Sequence, residues 1–125
     1  MKEIMLYAGS AVIFLWGAAH ILIPTKAIIK GFGPISDENR RILAMEWIME
    51  GLTLCFIGVL VSLVTVLEGI ANPASVIVYR ASAAMLFVMA VVSFFTGART
   101  AILPMRLCPP IFSTVAVMYL LATMK

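Results

Sequence analysis

The sequence predicts an all-α fold: an integral membrane four-helix bundle with short loops, whose last helix has a proline-distorted start. The 125 residues are 63% hydrophobic and only 12% charged, and their mean hydropathy is +1.11. Soluble domains carry about 25% charged residues, so this chain has too few polar groups to cover a surface in water. It also contains four apolar stretches, and a membrane-crossing helix needs about 20 such residues.

The chain is interpreted as a single transmembrane domain, residues 1–125, with spans at about 4–23, 42–67, 76–98 and 109–124. Pro24 is expected to end the first span, and Thr25 to cap a short interfacial turn that follows it. Ser36 is a favourable N-cap for the second long helix. Asn72 followed by Pro73 predicts the start of the third, because proline is favoured at the first helical position.

The segment before the last span is less regular. Residues 99–110 contain Pro104, Pro109, Pro110 and two arginines. Either this region is a loop and the last span runs only from Pro109 to Met124, or a kinked helix begins near Thr100. A span that began only at Pro109 would have about 16 residues and a length of about 24 Å, which is short for a hydrocarbon core of about 30 Å. We therefore expect an irregular interfacial segment that packs on protein, because irregular backbone is not tolerated in lipid.

The basic residues predict how the chain is oriented. The loops between spans one and two and between spans three and four hold six of them: Lys26, Lys30, Arg40, Arg41, Arg99 and Arg106. The opposite side has at most three, namely Lys2, Lys125 and Arg80. The positive-inside bias then places both termini outside a prokaryotic cell membrane. The net charge of +3 forms no basic stripe with interleaved aromatic residues, so no nucleic-acid partner is expected.

Ionisable side chains inside spans are costly in hydrocarbon and are therefore candidates for function. His20 and Glu46 are both expected about 6 Å inside the same interface, with Glu50 about 6 Å deeper. Thr53 continues the face of the two glutamates, since positions i, i+4 and i+7 align on a helix. The short connection between spans one and two favours antiparallel neighbours, so these groups are predicted to lie within reach of one another.

Other residues would complete this site. Arg99 and Arg106 leave the membrane on the same side and would supply counter-charge. Span three carries a stripe that would form the other wall of a cavity: Ser82, Met85, Met89, Ser93 and Thr96. Arg80 is expected to be structural and to reach Glu68 or lipid headgroups.

Each candidate also has a structural interpretation. His20 would then hydrogen-bond at the interface, Glu46 would pair with Arg41, and Glu50 would pair with an arginine. Histidine and glutamate suit zinc or iron, but the sequence has no HExxH motif and no doubled ExxH motif. It therefore predicts no metal and no cofactor. No nucleophile motif or phosphate-binding glycine loop is present either.

The cysteines predict little. Cys55 and Cys108 are too few for a disulfide framework, and neither lies in a CxxC motif. Cys55 lies in an apolar run and is expected to pack as a small hydrophobic residue. The redox state of both stays open.

Several runs carry a resemblance to known proteins: Trp16–His20, Gly31–Gly33, Asn39–Arg41 and Glu46–Gly51. They resemble small prokaryotic four-helix membrane proteins of unassigned function, and the first half of the chain is also similar to DoxX-like proteins. The resemblance implies a small membrane bundle and assigns no functional residue.

These observations predict a polytopic membrane protein with a His/Glu/Glu site that binds or transports a cation, a proton or a small amphiphile. Two alternatives stay open: a small membrane enzyme that acts on a lipid-like substrate by acid–base catalysis, and a structural or assembly subunit. Glycines in the spans predict close helix packing and are compatible with a homo-oligomer. The expected partners are the lipid bilayer and a small molecule or ion.

Overall fold

The computed structural model describes residues 1–23 and 25–124. Its helices are α1 (Lys2–Leu22), α2 (Thr25–Ile29), α3 (Asp37–Glu68), α4 (Pro73–Phe95) and α5 (Leu103–Thr123), with 3-10 turns at Lys30–Phe32 and Gly97–Arg99. Four of them, α1, α3, α4 with its following turn, and α5, are long and apolar enough to cross a membrane. The predicted all-α four-helix architecture is confirmed, and the chain is a multi-pass membrane protein.

The N-caps predicted for the second and third long helices are both present. The backbone N–H of Asn39 donates to the Ser36 hydroxyl at 3.2 Å, which satisfies one free donor at the start of α3. The backbone N–H of Ala74 donates to the Asn72 side chain at 2.8 Å, and Pro73 occupies the first turn of α4. The two long central helices therefore begin where the sequence predicts.

The short interfacial segment forms α2 and the 3-10 turn after it. Ile28 and Ile29 are buried while Lys26 and Lys30 are exposed, so this segment packs its apolar side on the bundle. The expected roles of Pro24 and of the Thr25 side chain lie outside the described residues. So does Lys125, which entered the topology prediction.

The last helix differs in where it begins. α5 starts at Leu103, so much of the predicted irregular segment is helical. Pro104 lies in its first turn, where a missing N–H costs no intrahelical hydrogen bond. Pro109 and Pro110 lie inside the helix and cannot donate to the carbonyls four residues earlier. With 21 residues, α5 is about 31 Å long and can cross the hydrocarbon core.

The bundle is built from two tightly packed pairs, α1 with α3 and α4 with α5. α1 also packs on α5, whereas α3 and α4 touch over a much shorter stretch. The first pair is close because of its glycines: a Cβ on Gly17 would lie 2.6 Å from the Gly51 carbonyl oxygen, and one on Gly58 would lie 2.7 Å from the Ser10 oxygen. The predicted glycine contacts are confirmed, and they leave a cleft between α3 and α4 on the other side.

Candidate functional site

The only histidine of the chain is held in one orientation. His20 lies in the last turn of α1 and is 2% exposed. Its Nδ1 lies 2.7 Å from the backbone oxygen of Trp16. A carbonyl oxygen can only accept, so Nδ1 carries the hydrogen and the neutral ring has its lone pair on Nε2.

Two tryptophans enclose this imidazole. The Trp47 ring stacks on it with a centroid distance of 4.2 Å and an interplanar angle of 25°. Trp16 meets it edge-on, at 5.4 Å and 73°. Within the described part of the chain, both indole nitrogens are buried without a hydrogen-bond partner. A buried donor without an acceptor costs about 1–3 kcal/mol, so two unused donors lie beside His20.

Glu50 and Cys108 complete a cluster with His20. One ligand atom from each of the three residues lies within 4.8 Å of the others. The His20 Nε2 is 3.9 Å from the Cys108 sulfur, and the Cys108 thiol donates to the Pro104 carbonyl at 3.4 Å. His20 and Cys108 are buried and Glu50 is half-buried. Three helices, α1, α3 and α5, each supply one residue.

The glycine contact between α1 and α3 explains why His20 meets Glu50. A Cβ on Gly51 would lie 2.9 Å from the Cβ of His20, so the last turn of α1 rests on the backbone next to Glu50. The prediction placed His20 level with Glu46, because it counted depth from the span ends. The Gly17–Gly51 contact sets a different offset between the helices, and Glu46 lies one turn away and exposed.

Two adjoining cavities of about 360 and 440 Å³ lie on the α4 side of Glu50. Their shared lining is Trp47, Glu50, Met85, Met89 and Met105. Together we call them the α3–α4 cleft. Four of the five residues in the stripe predicted on span three line this cleft, namely Met85, Met89, Ser93 and Thr96. The fifth, Ser82, does not line it. The expectation that α4 forms the opposite wall is confirmed for those four.

The remaining predicted site residues lie outside the cluster. Glu46 and Thr53 line the first cavity on either side of Glu50 along α3, and the Thr53 hydroxyl donates to the Met49 carbonyl at 2.9 Å. The guanidinium of Arg99 lies 5.4 Å from the centroid of a phenylalanine ring at the end of α4, and Arg106 is exposed. Neither arginine lines the cleft.

Arg80 makes a structural contact, but with a different residue from the one expected. Its Nε donates to the Thr123 hydroxyl at 3.5 Å, at the end of α5. Glu68 instead accepts a hydrogen bond from the Asn72 side chain at 2.9 Å. Arg80 therefore links α4 to α5 near the chain ends.

Cys108 and the two tryptophans are part of the site but are not predicted by the sequence. Cys108 lies in residues 99–110, which the sequence predicts to be irregular, so no helical face could be assigned to it. A signal for the tryptophans was present: Trp16 lies one turn before His20, and Trp47 lies three residues before Glu50. The only two tryptophans of the chain therefore border the only histidine.

An imidazole, a thiol and a carboxylate form a ligand set suited to transition metals. Three protein ligands with one open position are typical of zinc sites that bind a further molecule. A ligating histidine usually donates its other N–H to a carbonyl or carboxylate, as His20 does here. Comparisons with protein-family models, curated proteins and solved structures found no match to this chain. The resemblance to DoxX-like proteins therefore stays a prediction.

Proposed function

We propose that this protein binds one transition-metal cation within the membrane, with His20, Glu50 and Cys108 as its ligands. The proposal selects cation binding from the functions that the sequence left open, but it departs from the sequence-based prediction that no metal binds. It also replaces Glu46 by Cys108 in the site. One observation carries it: three chemically different ligand atoms from three helices lie within 4.8 Å of one another.

Charge balance also favours a cation. A carboxylate in hydrocarbon costs about 2.5–3.5 kcal/mol on insertion scales. In the described part of the chain, no lysine or arginine lines the cleft beside Glu50. A divalent cation would neutralise Glu50 and a Cys108 thiolate together, and it would use the Nε2 lone pair of His20.

The donor atoms favour zinc-like ions over magnesium or calcium. The latter prefer sites built from oxygen, whereas imidazole and thiolate bind borderline and soft metals. With bonds of about 2.0–2.3 Å, ligand atoms around a tetrahedral zinc lie about 3.3–3.8 Å apart. The cluster is slightly wider than this, so small side-chain movements would close it around an ion.

Cobalt(II) titration of the detergent-purified protein tests the proposal. A cobalt–thiolate bond gives a charge-transfer band in the near ultraviolet, and we expect one equivalent per chain, displaced by zinc. Cys108→Ser should abolish the band, and Glu50→Gln should weaken cobalt binding by about tenfold or more.

The chain offers a matched control for each variant. Cys55 is the other free cysteine and lies outside the cluster, and Glu46 lies one turn from Glu50. Cys55→Ser and Glu46→Gln should both bind cobalt as the parent protein does. A thiolate band that survives in Cys108→Ser, or no cobalt bound at all, would refute the proposal.

A further inference from the structure

We infer that the α3–α4 cleft binds a single-chain amphiphile of the long-chain carboxylate class, whose headgroup oxygen occupies the open coordination position of the metal. The inference rests on the proposed metal site for its headgroup and extends that function to an organic ligand. Four features of the cleft carry it: its size, its walls, its opening and its polar end.

The cleft is far larger than a metal site requires. An ion with one water needs little more than the about 30 Å³ that a water molecule occupies. The two cavities measure about 360 and 440 Å³, within the range of about 300–1,000 Å³ that is usual for pockets binding organic ligands. Their size therefore matches a chain of carbon atoms rather than an ion.

The walls suit an acyl chain. Three of the five shared lining residues are methionines, Met85, Met89 and Met105, and valines extend the apolar wall on α4. Methionine side chains are flexible and adapt to irregular apolar shapes. Apolar cavities hold water poorly, so an apolar occupant is favoured there.

The cleft also opens towards lipid. Met85, Val88 and Val92 line it and are each about half exposed, at 48%, 58% and 57%. They lie on a membrane-spanning helix, where the surrounding solvent is the acyl region of the bilayer. Molecules available at that opening are therefore lipids and compounds dissolved among them.

The inner end of the cleft is polar and reaches the metal ligands. Glu50 and Cys108 both line the second cavity, so a headgroup at this end would adjoin the proposed ion. Trp47 lines both cavities, and its buried indole N–H has no hydrogen-bond partner among the residues that the structure describes. A carboxylate supplies oxygen both to a metal and to N–H donors, whereas a cationic headgroup would be repelled by the ion.

Tryptophan fluorescence tests the inference directly, because both tryptophans of the chain border the site. The probe is stearate brominated at mid-chain, added to zinc-loaded protein in detergent, since bromine quenches indole fluorescence at short range. We expect saturable quenching that unbrominated stearate reverses. The brominated alcohol of the same chain length should bind about tenfold more weakly or worse, because it lacks the carboxylate.

Cavity-filling variants locate the binding. Ser93→Phe and Met89→Phe place a ring in the cleft and should weaken stearate binding by about tenfold, while cobalt still gives its thiolate band. Val91→Phe is the matched control, because Val91 lies on the same helix, 55% exposed, and does not line the cleft. It should leave both measurements unchanged.

The outcomes separate the two proposals. Quenching that is unsaturable, equal for the alcohol, or unaffected by both cleft variants would overturn the amphiphile site even when cobalt binds normally. The protein could instead bind no cobalt and still show saturable, carboxylate-selective quenching that Ser93→Phe weakens. That result would support amphiphile binding in the cleft. It would refute the metal centre and the coordination role of the headgroup.

Discussion

The hydroxyls of two buried tyrosines, Tyr119 and Tyr79, make hydrogen bonds between helices. Tyr119 of α5 lies 3.1 Å from the Ser10 hydroxyl of α1. Tyr79 of α4 lies 2.9 Å from the Thr65 hydroxyl of α3, and Thr65 itself donates to a backbone carbonyl at 2.6 Å. Because the Thr65 hydrogen is used in that way, Tyr79 must be the donor in its pair.

These two pairs should respond differently to removal of the hydroxyl. Tyr119→Phe leaves Ser10 buried without its partner, so we expect the free energy of unfolding to fall by about 1 kcal/mol. Tyr79→Phe leaves Thr65 bonded to the backbone, and the loss should be about 0.6 kcal/mol or less, the average for such bonds in membranes. Unfolding of the purified protein by dodecyl sulfate measures both. An equal or larger loss for Tyr79→Phe would contradict the assignment.

Part of the candidate site could be predicted from single residues. His20 and Glu50 were identified because ionisable groups inside apolar spans are costly, and the structure brings them together. Cys108 carries no such signal, because a cysteine in an apolar helix usually packs as a small hydrophobic residue. Its role depends on which helix faces which, and sequence periodicity does not contain that information.

The contact between α1 and α3 is the most extensive contact between two helices of the bundle. A Cβ on Gly17 would lie 2.6 Å from the Gly51 oxygen and 2.8 Å from the backbone nitrogen of Cys55. These are backbone atoms, so relief requires the helices to separate. The same contact positions His20, one turn further along α1, against α3.

Gly17→Ala should therefore affect both stability and metal binding. We expect the free energy of unfolding to fall by about 1–3 kcal/mol, as for other overpacked sites. Cobalt affinity should fall as well, because His20 moves relative to Glu50. Gly97→Ala is the control, since its Cβ would meet only the Met105 side chain, at 3.3 Å. Parent-like cobalt affinity in Gly17→Ala would show that this contact does not set the site.

Most elements could be predicted, and the exception has a local cause. Two helix starts are predicted by capping residues, α3 by Ser36 and α4 by Asn72 with Pro73. Both helices begin at these positions in the structure. The favoured prediction, an irregular segment followed by a span from Pro109, puts the start of α5 too late, because three prolines within residues 99–110 disfavour a regular helix there. Pro104 lies in the first turn, where proline is favoured, and the bundle supports Pro109 and Pro110 inside the helix.

At the scale of the whole molecule, the orientation in the membrane stays a prediction. The structure shows which positions are exposed enough to test it by cysteine labelling. Cys108 is only 3% exposed and is unsuitable as an accessibility probe. Single cysteines at the exposed positions Asp37 and Ala71, in a background without the native cysteines, are better placed. A membrane-impermeant maleimide should label Ala71→Cys in intact cells and Asp37→Cys only after permeabilisation. The reverse pattern would invert the predicted topology.

The two ends of the chain meet in space. The Lys2 ammonium donates to the Met124 carbonyl, so the first turn of α1 adjoins the last turn of α5. Joining these ends with a short linker and opening the chain in the loop at Gly69–Ala71 would give a circular permutant with the order α4, α5, α1, α2, α3. Every span would keep its direction across the bilayer, because each helical hairpin is transferred whole. A permutant that still binds cobalt would show that the site forms whichever hairpin is synthesised first.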